Sequence, residues 1–228
     1  MNGTPVERVR CFNFLGILID ENLTWNDHIN SLCTTISRTV GTLRKLKNLL
    51  PQKTLILLYN ALILSRLQYG ILLWGPSLSS WGRLPKLQKK AIRIMCKAKY
   101  NAHCDPLFHQ TKCLKVVDLL KQCAIKLFFK YKNGLLPQYF NDMFEPVYLT
   151  HSYETRNRNH PMIPPTRLKI TENSIRYFIP TFLEGTSLDI KNKIDTHSLK
   201  GLSQYAKTYY LNQYNFQCSI INCYVCGK

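Results

Sequence analysis

The chain has 228 residues, of which 31 are Lys or Arg and 13 are Asp or Glu, so its formal net charge at pH 7 is +18. Apolar residues make up 45% of the sequence, which excludes a wholly disordered chain and is enough for the core of one large domain or two small ones. Because solvated surfaces normally mix both signs of charge, this excess predicts an anionic partner, with nucleic acid first and an acidic membrane second.

The positive charge is concentrated in one part of the chain. No acidic residue lies between His28 and Cys104, whereas thirteen basic residues do. A stretch of this length with basic but no acidic residues is more typical of a surface that contacts nucleic-acid phosphates than of an ordinary solvent-exposed surface. The basic residues are Arg38, Arg44, Lys45, Lys47, Lys53, Arg66, Arg83, Lys86, Lys89, Lys90, Arg93, Lys97 and Lys99.

The cysteines and the start of the sequence bear on the compartment. Nine cysteines is an odd number, and the opening "NGTPVERV" has no apolar segment like that of a signal peptide. Cys33, Cys96 and Cys123 lie in apolar helical patterns, where a free thiol acts as a small hydrophobe. We therefore expect a reducing, intracellular location, nuclear or cytoplasmic.

The first predicted elements are a strand and a helix. The continuous apolar run over residues 12 to 19 predicts a buried strand, and Asp20, Glu21 and Asn22 predict a turn. Thr24 and Asp27 have the spacing of a capping box, which satisfies free backbone N–H groups at a helix start. The helix is predicted to reach Leu46, with Trp25 as a packing anchor. Its buried face holds Ile29, Leu32, Ile36, Val40 and Leu43, and His28 is interpreted as a packing or capping residue.

The apolar segment over residues 54 to 74 raises the question of a membrane span. Asn60, Arg66 and Gln68 interrupt it, whereas a span needs about 20 nearly uninterrupted apolar residues. We therefore predict a central helix from Pro51 to about Leu67, followed by a short extended stretch, and no membrane contact.

A third helix, over residues 84 to 99, carries the strongest functional signal. Its apolar face is Leu84, Leu87, Ala91, Ile94, Met95 and Ala98. The opposite face has five cations and no interleaved Glu, unlike the salt-bridged mixture of an ordinary solvated helix. The predicted nucleic-acid-binding residues are these cations: Lys86, Lys89, Lys90, Arg93 and Lys97.

The remaining elements are predicted as follows. A helix spans residues 116 to 132 and is closed by Asn133 and Gly134, and a short helix follows Pro137. The proline-rich segment after Val147 is typical of a linker. A β-hairpin is predicted over residues 167 to 180, and a last helix over residues 197 to 211.

No catalytic constellation is present in the sequence. It has no phosphate loop of the G-x-x-x-x-G-K-(S/T) type, no H-E-x-x-H and no G-x-S-x-G. Asp20 and Glu21 are adjacent acids, which more often cap or solvate a turn than bind a metal. We therefore predict no catalytic residue and no cofactor.

One group of cysteines leaves a metal site open. Cys223 and Cys226 form a C-x-x-C pair with Cys218 nearby, but structural zinc normally takes four ligands. His197 is more than twenty residues upstream, so a closed site would need a ligand from elsewhere. The alternative is a tail with free cysteines, and no metal ligand is predicted.

Four motifs, in order, resemble a known family. "FNFLGILID" followed by "LTWNDHI" resembles an F-L-G…D…L-x-W-x-x-H-I element, and "LQYGILLWG" resembles a Y-G…W-G segment. "LPKLQKKAIRIM" and "HSYETRNRN" resemble an L-x-x-L-Q-x-K-A-x-R-x-I helix and a Y-x-T-R element. These occur in LINE-type (non-LTR), jockey-like retrotransposon reverse transcriptases, beyond the catalytic motifs. The resemblance runs from Val6 to Tyr214.

The resemblance implies a mainly α fold: a helical thumb-like bundle with one strand of the palm and a C-terminal hairpin-plus-helix segment. The implied division is a palm-edge strand and turn (1–24), a thumb-like domain (25–146), and a linker, hairpin and tail (147–228). The family's aspartate pair, in a (Y/F)ADD-like motif, is not in this sequence, and "PTFLEG" stands where the family has a tryptophan.

The sequence therefore predicts a truncated RNA-directed DNA polymerase fragment that binds an RNA–DNA or duplex backbone but does not polymerise alone. The alternatives are a repurposed nucleic-acid-binding or interaction protein, a small metal-binding module centred on the C-terminal cysteines, and a remnant without function. In the last case, a strand without its palm sheet would leave an apolar edge exposed.

Overall fold

The computed structural model describes residues 7–144 and 161–214, and it is mainly helical, as predicted. Two short strands precede the helices: β1 (Cys11–Phe14) and β2 (Ile17–Asp20). The longer helices are α1 (Asn26–Leu46), α2 (Gln52–Tyr59), α5 (Leu84–Met95), α7 (Val116–Lys132), α9 (Ile175–Glu184), α10 (Leu188–Thr196) and α11 (Leu199–Asn212). The shorter ones are α3 (Ser65–Gln68), α4 (Ile71–Trp74), α6 (Asp105–Gln110) and α8 (Lys169–Glu172).

The predicted single strand over residues 12 to 19 is instead an antiparallel hairpin, in which Phe14 pairs with Ile17. Leu15 and Gly16 both have positive φ, which is the geometry of a two-residue turn that matches strand twist. β2 packs on α1, and Ile17 is buried. The side chains of β1 are largely exposed, so the prediction of a buried strand is correct for Ile17 but wrong for β1.

Helix α1 ends at Leu46 as predicted, and all five residues of its predicted face are buried. Trp25 packs against the core, as expected of an anchor. The predicted capping box does not form. The turn instead brings Asp20 back beside the helix start, where its carboxylate accepts from the backbone N–H groups of Thr24 (3.0 Å) and Trp25 (2.8 Å).

The predicted central helix is present, but it contains a π-helical turn over Asn60–Leu64 between α2 and α3. The short extended stretch is limited to Tyr69, because the chain turns at Gly70 and becomes helical again in α4. Gly70 has φ of +60°, and a Cβ there would lie 2.5 Å from Ile17 Cδ1. Glycine is therefore favoured by the conformation of the turn, and any larger residue would also displace the end of the Ile17 side chain. In the described part of the chain, no helix has the length and apolar character needed to cross a membrane.

Helix α7 has the predicted bounds, and it is closed by Asn133 and by Gly134, which has φ of +62°. Pro137 precedes a single 3₁₀ turn, Gln138–Phe140. Helices α9, α10 and α11 pack against α7, and α11 also contacts α6. The linker predicted after Val147 falls mainly outside the described residues.

The β-hairpin predicted over residues 167 to 180 is wrong, because this segment forms α8 and α9. Ser174 caps α9 by accepting from Tyr177 N–H. The apolar residues of α9 recur at helical spacing, and two of them, Ile179 and Leu183, are buried against the core. Helix α10 was not predicted, whereas α11 matches the predicted last helix to within two residues at its start.

The carboxylate of Asp20 gives a pH-dependent test of the helix start. Partial burial disfavours its charged form, but hydrogen bonds from Thr24, Trp25 and Asn22 outweigh that effect and hold the pKa of Asp20 below its ordinary value. A group with a lowered pKa in the folded state stabilises the fold fully above its unfolded-state pKa of about 3.9. That contribution is lost as the pH falls through the folded-state pKa.

We expect Asp20→Asn to flatten the fall in unfolding free energy between about pH 5 and about pH 2 relative to the wild type. The cost at neutral pH should be about 1 to 2 kcal/mol, because the single amide oxygen replaces only one of the two carboxylate oxygens and leaves a backbone N–H of Thr24 or Trp25 without its acceptor. Urea denaturation at a series of pH values measures both effects. Asp142→Asn, at an exposed carboxylate, is the control, and its unfolding free energy should depend on pH as in the wild type. If the pH dependence of Asp20→Asn were parallel to that of this control, the role of the Asp20 carboxylate at the start of α1 would be contradicted.

Candidate nucleic-acid interface

Helix α5 has one buried face and one cationic face. Pro85 lies in its first turn, where a missing N–H costs nothing. The buried side chains are Leu84, Gln88, Ala91, Ile92, Ile94 and Met95, and they pack against α1, α2 and α6. The predicted apolar face is confirmed for Leu84, Ala91, Ile94 and Met95. Leu87 and Ala98 are partly buried against the same core.

Gln88 is the one polar residue on the buried face, and it fixes how α5 is rotated. Its side chain is 2% exposed. Its amide N–H groups donate to the Tyr59 hydroxyl and to the Leu114 carbonyl, both at 2.9 Å. Its amide oxygen accepts from the Val116 N–H at 2.9 Å, which satisfies a free donor at the start of α7. Any rotation of α5 would leave these buried groups unpaired.

Lys86 and Lys90 lie on the opposite side of α5 from this amide, Lys89 lies next to them, and all three are exposed. Within residues 7–144 and 161–214, none of their ammonium groups has a hydrogen-bond or ion-pair partner. Asp105, the first acid after this basic stretch, is paired with Lys115 at 2.8 Å. The three lysines therefore form an exposed positive surface without internal compensation, which we call the α5 lysine face.

Arg93 and Lys97 differ from the other three predicted binding residues. Arg93 is partly buried, and its Nε–H donates to the Ala102 carbonyl at 2.8 Å. The predicted extension of the helix to residue 99 is wrong: α5 ends at Met95, because Lys97 adopts φ of +53° and Ala98 N–H returns to the Arg93 carbonyl. Lys97 is exposed, but it lies beyond the helix rather than on its face.

A second cationic surface surrounds an open cavity of about 760 Å³ between α4, α7 and α11. Leu72, Leu127 and Leu199 give the cavity an apolar lining. Its lysines are Lys126, Lys130 and Lys200. This second group lies on different helices and provides a matched comparison for the α5 lysine face.

Burial makes five of the six thiols in the described ranges less acidic. Burial raises the pKa of Cys33, Cys104, Cys113 and Cys123, and it raises the pKa of Cys96 to about 11. These groups are therefore neutral thiols at physiological pH, and the thiolate is the reactive form. Cys33 is buried and Cys96 and Cys123 pack against the core, which confirms their predicted role as small hydrophobes.

His28 is a packing residue, as predicted. It is buried with its ring centroid 6.0 Å from that of Trp74, and its Nδ1 accepts from the Leu18 N–H at 3.4 Å. Burial lowers the pKa of its imidazole, which suits this role as a neutral acceptor. The imidazole thus joins β2 to α1.

No group of three or more His, Cys, Asp or Glu in the described ranges is arranged to hold a metal ion. The hypothesis of a site at Cys218, Cys223 and Cys226 concerns residues outside these ranges. Asp20 is occupied as a hydrogen-bond acceptor at the start of α1, as the interpretation of a capping acid expected.

Comparison of the chain with protein-family models, curated proteins and solved structures gives no significant match.

Sequence reasoning missed Gln88. The signal was available, because Gln88 follows Leu84 by four residues and precedes Met95 by seven, and so falls on the apolar stripe. A polar residue on such a stripe indicates a buried group that requires partners. The identity of those partners depends on how distant segments pack, which a single helix pattern does not encode.

Gln88→Leu should destabilise the fold by about 3 kcal/mol, because it leaves the Val116 N–H, the Leu114 carbonyl and the Tyr59 hydroxyl without this partner. Urea denaturation followed by circular dichroism measures the change. Gln204→Leu, at an exposed site within α11, is the matched control and should change stability by less than about 0.5 kcal/mol. Equal losses in the two variants would show that Gln88 does not hold α5 in place.

Proposed function

We propose that the α5 lysine face binds the sugar–phosphate backbone of an RNA–DNA or other duplex, and that the chain has no polymerase activity of its own. The observation that carries this proposal is the exposure of three uncompensated ammonium groups on one helix face. Ammonium groups bind phosphate oxygens by charge-assisted hydrogen bonds and release counterions from the duplex. Such contacts position a duplex without reading its sequence.

The shape of the surface suits this role. Residues three and four apart on a helix are neighbours, with Cβ atoms about 5–6 Å apart. Lys86, Lys89 and Lys90 therefore form one continuous cationic strip rather than three isolated charges. Because Gln88 is held by buried partners, the strip is presented on a fixed scaffold, which limits the entropy lost on binding.

We further propose that the chain is the thumb-and-downstream part of a LINE-type reverse transcriptase. The sequence motifs support this, and so does the exposed surface of the hairpin. Phe12 and Phe14 lie at alternate positions of β1 and are 57% and 56% exposed, and Leu15 in the following turn is 74% exposed. β1 pairs with β2 on one side only, and an apolar strand at the edge of a sheet is normally covered by another element. In the family that the chain resembles, the matching stretch adjoins the catalytic palm, which would supply that cover.

A triple variant, Lys86→Gln, Lys89→Gln and Lys90→Gln, tests the binding proposal. Each lost phosphate contact lowers the slope of log affinity against log salt by about 0.9, so the slope should fall by about 2 to 3. Affinity near 0.1 M salt should fall by about 10- to 100-fold. Fluorescence anisotropy with a labelled RNA–DNA heteroduplex of about 20 base pairs, over a salt series, measures both quantities.

The matched control replaces Lys126, Lys130 and Lys200 with Gln, which removes the same charge from the cavity surface. It should retain most of the affinity and of the salt slope. Circular dichroism melting verifies that both triple variants are folded. Loss of binding by the control alone, or equal loss in both variants, would contradict the assignment of the interface to α5.

A further inference from the structure

Tyr100 lies in the turn that follows α5, and its side chain is 89% exposed. Isolated exposed apolar residues are normal on protein surfaces, so exposure alone assigns no role. Two further observations distinguish this ring: hydrogen bonds hold the turn that carries it, and two lysines, Lys97 and Lys99, precede it in the same loop.

The turn is held by the helix itself. Ala98 N–H donates to the Arg93 carbonyl at 2.9 Å, which closes α5. Ala102 N–H donates to the Lys99 carbonyl at 3.1 Å, so Tyr100 occupies the second position of a tight turn. The Ala102 carbonyl in turn accepts from Arg93 Nε–H, and Ala102 is buried. Arg93 is therefore a positioning residue that anchors the loop carrying Tyr100.

The surroundings of the ring are cationic. Lys97 and Lys99 precede Tyr100 by three residues and by one residue, and both are exposed. The Cys104 thiol, four residues after Tyr100, lies 3.9 Å from the Lys89 carbonyl, so the loop that carries the ring returns to α5 beside the α5 lysine face. Aromatic rings beside a positive groove are the recurrent means by which proteins hold single-stranded nucleic acid, because bases stack on the ring while cations hold the backbone.

We propose that Tyr100 stacks on an unpaired base where a single strand leaves the duplex held by the α5 lysine face. This inference rests on the proposed function of α5 and adds a ligand class to it: a duplex with a single-stranded extension. The backbone of the turn is held in place before binding, so stacking has to order only the side chain of Tyr100. The phenol hydroxyl is not required, because stacking uses the face of the ring.

The test compares a blunt RNA–DNA heteroduplex with the same heteroduplex carrying an overhang of about four nucleotides that contains 2-aminopurine. The wild type should bind the overhang substrate about tenfold more tightly and quench the 2-aminopurine fluorescence. Tyr100→Ala should lose both the preference and the quenching, while affinity for the blunt duplex and its salt slope stay unchanged. Tyr100→Phe should behave as the wild type.

Tyr139→Ala is the matched control, because Tyr139 is 92% exposed but lies after α7. It should keep the overhang preference. Blunt-duplex binding without any overhang preference, or a preference that survives in Tyr100→Ala, would overturn the inference and leave the proposed function of α5 intact. Absence of salt-dependent binding to the blunt duplex would overturn the proposed function and this inference with it.

Discussion

The hydrogen bonds of the Gln88 side chain are the constraint on which the arrangement of the helices depends. One amide joins α5 to Tyr59 in α2, to the loop before α7 and to the first N–H of α7. A buried amide is costly without partners, so a packing that breaks these bonds is disfavoured in a way that an apolar contact is not. Because the amide fixes the inner side of α5, it also fixes which residues face outward.

The start of α7 is where the C-terminal helices are attached. The Lys115 N–H donates to the Tyr214 hydroxyl at 2.8 Å, and that hydroxyl donates to the Asp118 carboxylate at 2.9 Å. Burial raises the pKa of both Asp118 and Tyr214, while the ammonium of Lys115 lies 4.4 Å from the centre of the Tyr214 ring. The start of α7 thus holds hydrogen bonds both to Gln88 of α5 and to Tyr214, which follows α11.

Local sequence patterns were sufficient to predict a helix and its buried side where the apolar residues form one stripe along the helix. The stripes of α1 and α5 and the bounds of α7 followed from spacing and from a closing Asn-Gly. Local patterns gave the wrong secondary structure where it depends on contacts with distant residues or on the geometry of a turn. Leu168 and Ile170 alternate as in a strand, but both are exposed in the fold, and the Ser174 cap directs the following residues into α9. Residues 12 to 19 are uniformly apolar, so their composition did not reveal the reversal at Leu15 and Gly16.

The same distinction holds for the candidate interface. The cations of α5 could be located from sequence because helical periodicity separates them from the apolar stripe. The different roles of Arg93 and Lys97 could not be predicted from sequence, because these roles depend on where α5 ends, at Met95, and on the conformation of the loop that follows. The division into a palm-edge strand, a thumb-like domain and a C-terminal segment, and the relationship to LINE-type reverse transcriptases, stay predictions from the sequence.

The most direct measurement of the central claim is lysine acetylation of the free and heteroduplex-bound protein, read residue by residue by mass spectrometry. If the outer side of α5 is the interface, binding should protect Lys86, Lys89 and Lys90 from acetylation and leave Lys126, Lys130 and Lys200 as reactive as in the free protein. Protection of the cavity lysines in place of those on α5 would contradict the account.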